Sequence, residues 1–433
     1  MEGTSARVLA EIDMRQEGMV SLLQDLVREP STLGNERSAQ EIIHAKWKSI
    51  GLESELWQPS IEMLCTHPAF APVEWDYADR PNVTAVLRSP TRRGRSLILN
   101  GHIDVVSPEP TSAWTYHPWQ PQIVHRRMYG RGTADMKGGI VMMALALEAL
   151  RASRVVLDAD VIAESVIEEE CSGNGTLACR LAGYNGEAAI VCEPHALKAN
   201  IATMGVMWFR VTVRGSGAHV LRAHQAVNAI EKCFPLISAL RRLEEEMNQS
   251  LDHPLYRKLE HPINLNVGKM HGGDWPSNVP ALCQFDCRIS YPPGTLPDEV
   301  RQQIEARLAH AASEDAWLRQ VQPTVTYYGF RADGSQVDPD CQLARTLGEC
   351  HQEVVRAEME FDVTTACNDM RYFANYFGIP AVAYGPAGGE LHGADEYVEL
   401  DSIVTGAKVL SRFIMEWCGV VDGNSGFNRP AQE

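Results

Sequence analysis

The chain has 433 residues, with 39 basic and 56 acidic side chains and a formal charge of −17. At about 150 residues per domain it should form two or three domains. Its 45% hydrophobic and 22% charged residues match soluble globular proteins and exclude a disordered chain, a collagen-like repeat and a long coiled coil. A surface this acidic repels phosphate backbones and anionic lipid, so neither nucleic acid nor membrane is an expected partner.

The longest uncharged apolar run, Ile140 to Leu147, is too short to cross a bilayer. Met1 to Met19 carries Glu2, Glu11, Asp13 and Glu17 and no apolar block, which argues against a secretory signal and for a cytoplasmic location. The 11 cysteines include no CxxC pair, the usage of a reducing compartment.

In chain order, the first fifty residues read as two helices: Leu22, Leu23, Leu26 and Val27 recur at helical spacing, and Ser38 to Ile50 resumes it after a break at Pro30. Residues 58–81, with four prolines and several aromatics, read as an irregular surface excursion. Strands are expected at 82–87 and 96–106, then a glycine-rich turn at 130–139 opening a helix to Ala152. A strand at 158–166, a short helix at 173–181 and a strand at 188–192 follow. This strand–helix order predicts an α/β fold with a mainly parallel sheet covered by helices.

Near residue 200 the pattern changes. Val206 to Val213 alternates apolar and polar residues, as a half-exposed antiparallel strand does. Helices at 226–245 and 297–312 alternate with strands at 264–267, 282–289 and 324–330. We expect an inserted α+β two-layer sandwich over 200–330, within a discontinuous domain formed by 1–199 and 331–433.

Polar residues gather where strands end. His102 and Asp104 close a buried strand in Gly101-His102-Ile103-Asp104, at the sheet edge where α/β sites are built. An imidazole ligand usually needs a carboxylate or carbonyl on its other nitrogen, and Asp104 is near enough to help orient the site. Asp135 sits among four glycines, Gly130, Gly132, Gly138 and Gly139. Neither GxxxxGK[ST] nor GxGxxG is present, so this is not a phosphate cradle. Glu168, Glu169 and Glu170 follow one apolar strand and Glu193 another, and three such carboxylates repel unless a cation or proton relieves them. His392 lies in a late glycine-rich loop. Each feature alone has a structural reading: a polar strand end, a helix cap, a solvated acidic run. Together they form a metal-ligand inventory rich in oxygen donors.

The ordered set GHID, YGRGTADMKGG, EEE followed by GNGTL, CEP and LHGADEYV resembles the M20 family of di-metal amidohydrolases and exopeptidases, and within it the acetylornithine deacetylase and succinyl-diaminopimelate desuccinylase branch. The resemblance implies two divalent metals per subunit, Zn²⁺ or else Mn²⁺ or Co²⁺, held by His102, Asp135, Glu170, Glu193 and His392. Asp135 would bridge them, with His102 and Glu193 on one ion and Glu170 and His392 on the other. It makes Glu169 the general base and Asp104 a supporting acid, and Glu168 stands where the family more often has Asp.

By the same resemblance the inserted segment is a lid through which a homodimer forms. His219 in Gly217-Ala218-His219 would reach the partner's site, and Asn278 and Arg288 would grip the substrate. Asn228-Ala229-Ile230 matches another lid motif. The expected reaction is hydrolysis of a non-peptide C–N bond by a metal-activated water. Removal of the acyl group from a small N-acyl amino acid leads, because Arg288 suits a carboxylate. Aminohydrolysis of an amino-substituted aromatic acid, deformylation of an aminopyrimidine and dipeptidase or carboxypeptidase action are alternatives. A metal-binding relative without catalysis should have lost Glu169 or a ligand, and none is missing.

Overall fold

A computed structural model describes residues 2–421. Its main sheet has nine strands. The four central ones, Val161–Val166, Leu97–His102, Ala188–Val191 and Ala381–Ala383, run parallel. Antiparallel strands Asn82–Leu87 and Glu53–Trp57 extend one side. Ala199–Thr203 extends the other and pairs with Ser335–Gln336 and Phe361–Thr364.

The central strands are buried on both faces, which explains their uninterrupted apolar sequences. Leu97 and Leu99 point into one core with the helices Gly138–Ala152 and Leu400–Cys418. Ile98 points into the other, under Met370 and Phe373. The helix Gly138–Ala152 is buried around nearly its whole circumference, so it shows no amphipathic stripe. A Cβ on its Gly139 would stand 2.0 Å from the Cys192 carbonyl oxygen. Only glycine lets this helix start so close to the strand that ends at Glu193.

The chain leaves the main sheet at Met204 and returns between Ala332 and Ser335. Between them a four-stranded antiparallel sheet forms in the order Leu265–Gly272, Leu282–Tyr291, Gly205–Arg214, Thr324–Ala332. Met207, Phe209 and Val211 alternate inward beneath the helices Ala229–Gln249 and Pro297–Glu314. The opposite face carries Trp208, Arg210, Asp286 and Arg288 at the intervening positions. This is the two-layer α+β unit expected beside the α/β domain.

Three features differ from the sequence reading. The first fifty residues contain three helices, because Glu2–Met14 precedes Gln16–Arg28 and Arg37–Ser49. Only Val8 and Ile12 anchor it in the core, too few apolar positions to reveal a helical stripe. Residues 58–81 are only partly a surface excursion: Met63, Glu74 and Asp79 are exposed, but Leu64, Ala69, Ala71, Tyr77 and Arg80 are buried. Finally, Gln122–Val124, Arg127–Tyr129, Tyr397–Glu399 and Gly388–Gly389 form a small antiparallel sheet that joins the glycine-rich turn to the late histidine loop. Among the described residues no helix is long and apolar enough to cross a membrane.

Candidate metal-dependent active site

His102 ends its strand fully buried, and its ring is oriented by the backbone. Nδ1 lies 2.8 Å from the Asp104 carbonyl oxygen, so an N–H there donates to that carbonyl. Nε2 then faces Asp135 Oδ1 at 3.1 Å, Glu193 Oε1 at 3.6 Å and Glu169 Oε2 at 3.9 Å. The Asp104 carboxylate is 3.6 Å from the ring and has a different task. It accepts the backbone N–H of Glu169 at 3.2 Å and of Glu170 at 3.1 Å, fixing the turn that carries both acids.

Asp135 stands between two imidazoles. Its Oδ1 faces His102 and its Oδ2 lies 3.4 Å from His392 Nε2. His392 Nε2 is also 3.1 Å from both Glu170 carboxylate oxygens. Glu396, which the sequence reading passed over, builds the Asp135 loop. It accepts the N–H groups of Gly132, Ala134 and Asp135 at 3.0 Å each and pairs with buried Arg131. Arg131 Nη2 in turn donates to the carbonyls of His392 and Gly393. Both residues lie inside the motifs YGRGTADMKGG and LHGADEYV, so the signal was present as two unassigned charges.

Electrostatics follow from the crowding of acids. Burial, reinforced by neighbouring carboxylates, raises Glu169 and Glu193 well above the usual range despite the His102 ring. Burial pushes Asp104 up to about 7. Burial also disfavours ionised Asp135, but its bonds to His102 and His392 hold it well below an ordinary carboxyl. The Glu170 carboxylate pushes His392 up to about 11. Burial opposes a charged His102, yet Glu193, Asp135 and Asp104 raise it well above 6.5.

Such a cluster suits cations. Ligand atoms of His102, Asp135 and Glu170, and of His102, Glu169 and Glu193, lie within 4.8 Å of one another. Glu169 Oε1 is buried without a hydrogen-bond partner. A mixed imidazole and carboxylate donor set fits Zn²⁺, Mn²⁺ or Co²⁺. Glu168 is separate from this set. Its carboxylate turns away to Arg80, Trp75, Tyr77 and Ser172, so an arginine relieves the repulsion among the three glutamates.

Glu169, Glu170 and His392 open onto a cavity of ≈ 320 Å³ between the main domain and the lid sheet. Trp208, Tyr328 and Phe330 wall it, with Trp208 edge-on to Phe330 at 5.2 Å and to Tyr328 at 6.0 Å between ring centroids. Arg288 also lines it and has no carboxylate partner among the described residues; its Nη2 lies 3.4 Å from the Thr365 carbonyl. Asn278 and His219 do not line this cavity. They pair with each other across a β-bridge, both exposed, and Asn278 borders a separate hollow of the inserted unit.

The fold and this cluster define a metallohydrolase of the α/β class with an inserted lid. Residues 98–416 match peptidase family M20/M25/M40, and the chain belongs to it. It is a hydrolase acting on C–N amide bonds. An N-formyl-4-amino-5-aminomethyl-2-methylpyrimidine deformylase of Halalkalibacterium halodurans is 28% identical over 433 aligned positions, spanning 95% of this chain and 97% of that one. A succinyl-diaminopimelate desuccinylase of Leptothrix cholodnii is 26% identical, spanning 89% and 94%. Among solved structures, a dipeptidase of Saccharomyces cerevisiae shares the fold with a TM-score of 0.79 at 12% identity, covering 96% of this chain and 99% of that one. A Bacillus subtilis structure with a TM-score of 0.57 at 13% identity, covering 94% and 100%, is described as a dinuclear metal binding peptidase of the M20 family.

Proposed function

We propose that this enzyme removes a short acyl group from a small amine carried on an aromatic ring. The wall of Trp208, Tyr328 and Phe330 beside Glu169, Glu170 and His392 carries this reading, because three rings lining so small a cavity favour a flat, apolar substrate body. The deformylase relatives, one spanning 95% of this chain and another 80%, support it. A second reading, deacylation of an N-acyl amino acid or other carboxylate-bearing amide, is favoured by Arg288, a guanidinium facing the same cavity without a protein anion.

His102, Asp135, Glu170, Glu193 and His392 would hold two divalent ions, Zn²⁺ foremost, with Asp135 between them. Divalent ions bound there would lower the pKa of water to about 7 and polarise a carbonyl oxygen. Glu169 takes the proton of the attacking water and returns it to the leaving nitrogen. Its buried, unpartnered Oε1 leaves it free for that transfer. Asp104 keeps Glu169 and Glu170 in register through their backbone N–H groups. The 200–330 unit acts as a lid and dimer interface, with His219 donating to the carbonyl oxygen in the partner's site and Asn278 contacting the substrate there. Exposed Leu221 and Trp275 near His219 support an interface at that face. Free thiols at all eleven cysteines agree with a cytoplasmic enzyme.

A panel of amides separates the two substrate readings. N-formyl, N-acetyl and N-succinyl derivatives of aminomethyl-pyrimidines and benzylamines are compared with those of amino acids and aminobenzoates. The aromatic reading expects the highest kcat/KM on ring amines without a carboxylate, and loss of that preference in Trp208→Ala. A preference for carboxylate substrates that disappears in Arg288→Ala would overturn it in favour of the second reading.

A further inference from the structure

We infer that the 58–81 segment is a strap that positions Glu169 and joins the lid to the same turn. This rests on the reading of Glu169 as the base.

The strap grips the residue preceding Glu169. Glu168 is fully buried and left-handed, with φ of 69°. Its backbone carbonyl accepts the N–H groups of Ser172 at 2.9 Å and Gly173 at 2.6 Å, which closes the turn. Its carboxylate receives Trp75 Nε1, Tyr77 Oη at 2.9 Å and Arg80 Nη1, all from the strap, besides Ser172 Oγ at 2.7 Å. Arg80 is anchored in turn by buried Glu36, with Nε to Oε2 at 3.0 Å. Glu169 therefore follows a residue fixed by four side-chain donors, while Asp104 holds its own N–H from below. A turn clamped on both sides cannot re-aim its acid without breaking buried, charge-assisted hydrogen bonds.

One to eight residues earlier the same strap meets the lid. The Pro72 carbonyl accepts the Gly329 N–H at 2.8 Å. Glu74 accepts Arg210 Nη1 at 3.3 and 3.4 Å, and Arg210 clasps the cavity residue Asp286 at 2.8 and 3.1 Å. Gly329 sits where the strand Thr324–Ala332 loses register with its neighbour, at φ of +61°. A Cβ there would stand 2.7 Å from the Trp208 ring and 3.0 Å from the carbonyl oxygen of Cys171, the residue after Glu170. The lid thus touches the catalytic turn directly, and the strap bridges both across the seam. Trp75, Tyr77 and Arg80 are positioning residues, because they act on Glu169 through Glu168, and Glu74 sets the aromatic wall through Arg210.

The test uses the full-length enzyme and three variants: Trp75→Phe, which keeps a ring and deletes one donor to Glu168, Arg80→Lys, which keeps the charge but not the fork, and Glu74→Gln. Hydrogen–deuterium exchange is followed for peptides covering 166–173 and 325–331, with melting temperature and steady-state kinetics on the best amide of the panel. We expect Trp75→Phe and Arg80→Lys to speed exchange in 166–173 and lower kcat on the order of 10-fold with KM within about twofold, as a slightly misplaced base does. Glu74→Gln should loosen 325–331 and raise KM. Wild-type exchange in 166–173 for folded Trp75→Phe overturns the positioning role, as does a loosened turn with unaltered kcat. Unaltered exchange at 325–331 in Glu74→Gln overturns the link to the lid. Should Arg80→Lys not fold, Trp75→Phe decides alone. A wild-type enzyme inactive on every amide would refute the proposed function, and the exchange measurements would still decide the strap.

Discussion

Neighbouring Glu169 and Glu170 differ in what they face, and that difference separates the role proposed for each. Glu170 directs both oxygens at His392, whereas Glu169 leaves one buried oxygen without a partner. Glu169→Gln should therefore keep bound metal and melting temperature while kcat falls on the order of 10²–10⁴-fold, the usual weight of a general base. Glu170→Gln should lose metal as well, measured by elemental analysis of dialysed protein. The reverse pattern would exchange the two roles. A titratable residue outside the ligand cluster predicts pH behaviour. His351 is buried beneath Tyr384, with Nδ1 2.9 Å from its hydroxyl, and burial holds its pKa below 6.5. A depressed folded pKa means that the unfolded chain protonates first as pH falls. The neutral imidazole's contribution is thus intact above pH 6.5 and is lost below it until the folded pKa is reached. Urea unfolding at several pH values should show this acid-side loss, and His351→Gln should flatten it.

At the scale of elements, the motifs divide by what they hold in place. The glycine-rich turn and the late histidine loop meet because the strands Arg127–Tyr129 and Tyr397–Glu399 pair and Glu396 bonds three N–H groups of the Asp135 loop. The Asn-Ala-Ile motif of the lid has a simpler account. Asn228 Oδ1 accepts the N–H groups of Ile230 and Glu231, capping the helix Ala229–Gln249. Asn228→Ala should cost about 1 kcal/mol of stability, read by denaturant unfolding, with kcat kept near wild type. A large fall in kcat at unchanged stability would give Asn228 a part in the reaction instead. The strap shows the opposite case: irregular, proline-rich sequence that is tied to the site, because Glu168 gathers three of its side chains.

For the whole molecule, the decisive question is how His219 reaches a reaction centre. It is bridged to Asn278 and does not line the cavity that contains Glu169. The proposed dimer answers this by lending His219 to the neighbouring subunit. Mixing His219→Ala chains with Glu169→Gln chains should then restore activity, since each heterodimer carries one site with both residues intact. Recovery should approach half the wild-type specific activity of those heterodimers. No recovery in heterodimers verified by native mass spectrometry would remove His219 from the partner's site.

Taken by itself, the sequence determined the alternation of parallel strands and helices, the antiparallel unit inserted near residue 200, and the acids and histidines at strand ends. These are local signals: hydrophobic period, strand-end polarity and a cluster of glycines at 130–139. Tertiary structure alone decided the rest. It gave the Asp104 carboxylate to the backbone of Glu169 and Glu170 and left the His102 ring to the Asp104 carbonyl. It paired Glu168 with Arg80, 88 residues away, and turned an apparent surface excursion into a strap with a buried inner side. It brought Trp208, Tyr328 and Phe330 to one cavity while leaving His219 and Asn278 outside it. The physical reason is common to all of these. A side chain's partner across a sheet or a domain seam is set by packing and register between distant segments, and neither periodicity nor composition along the chain encodes that distance.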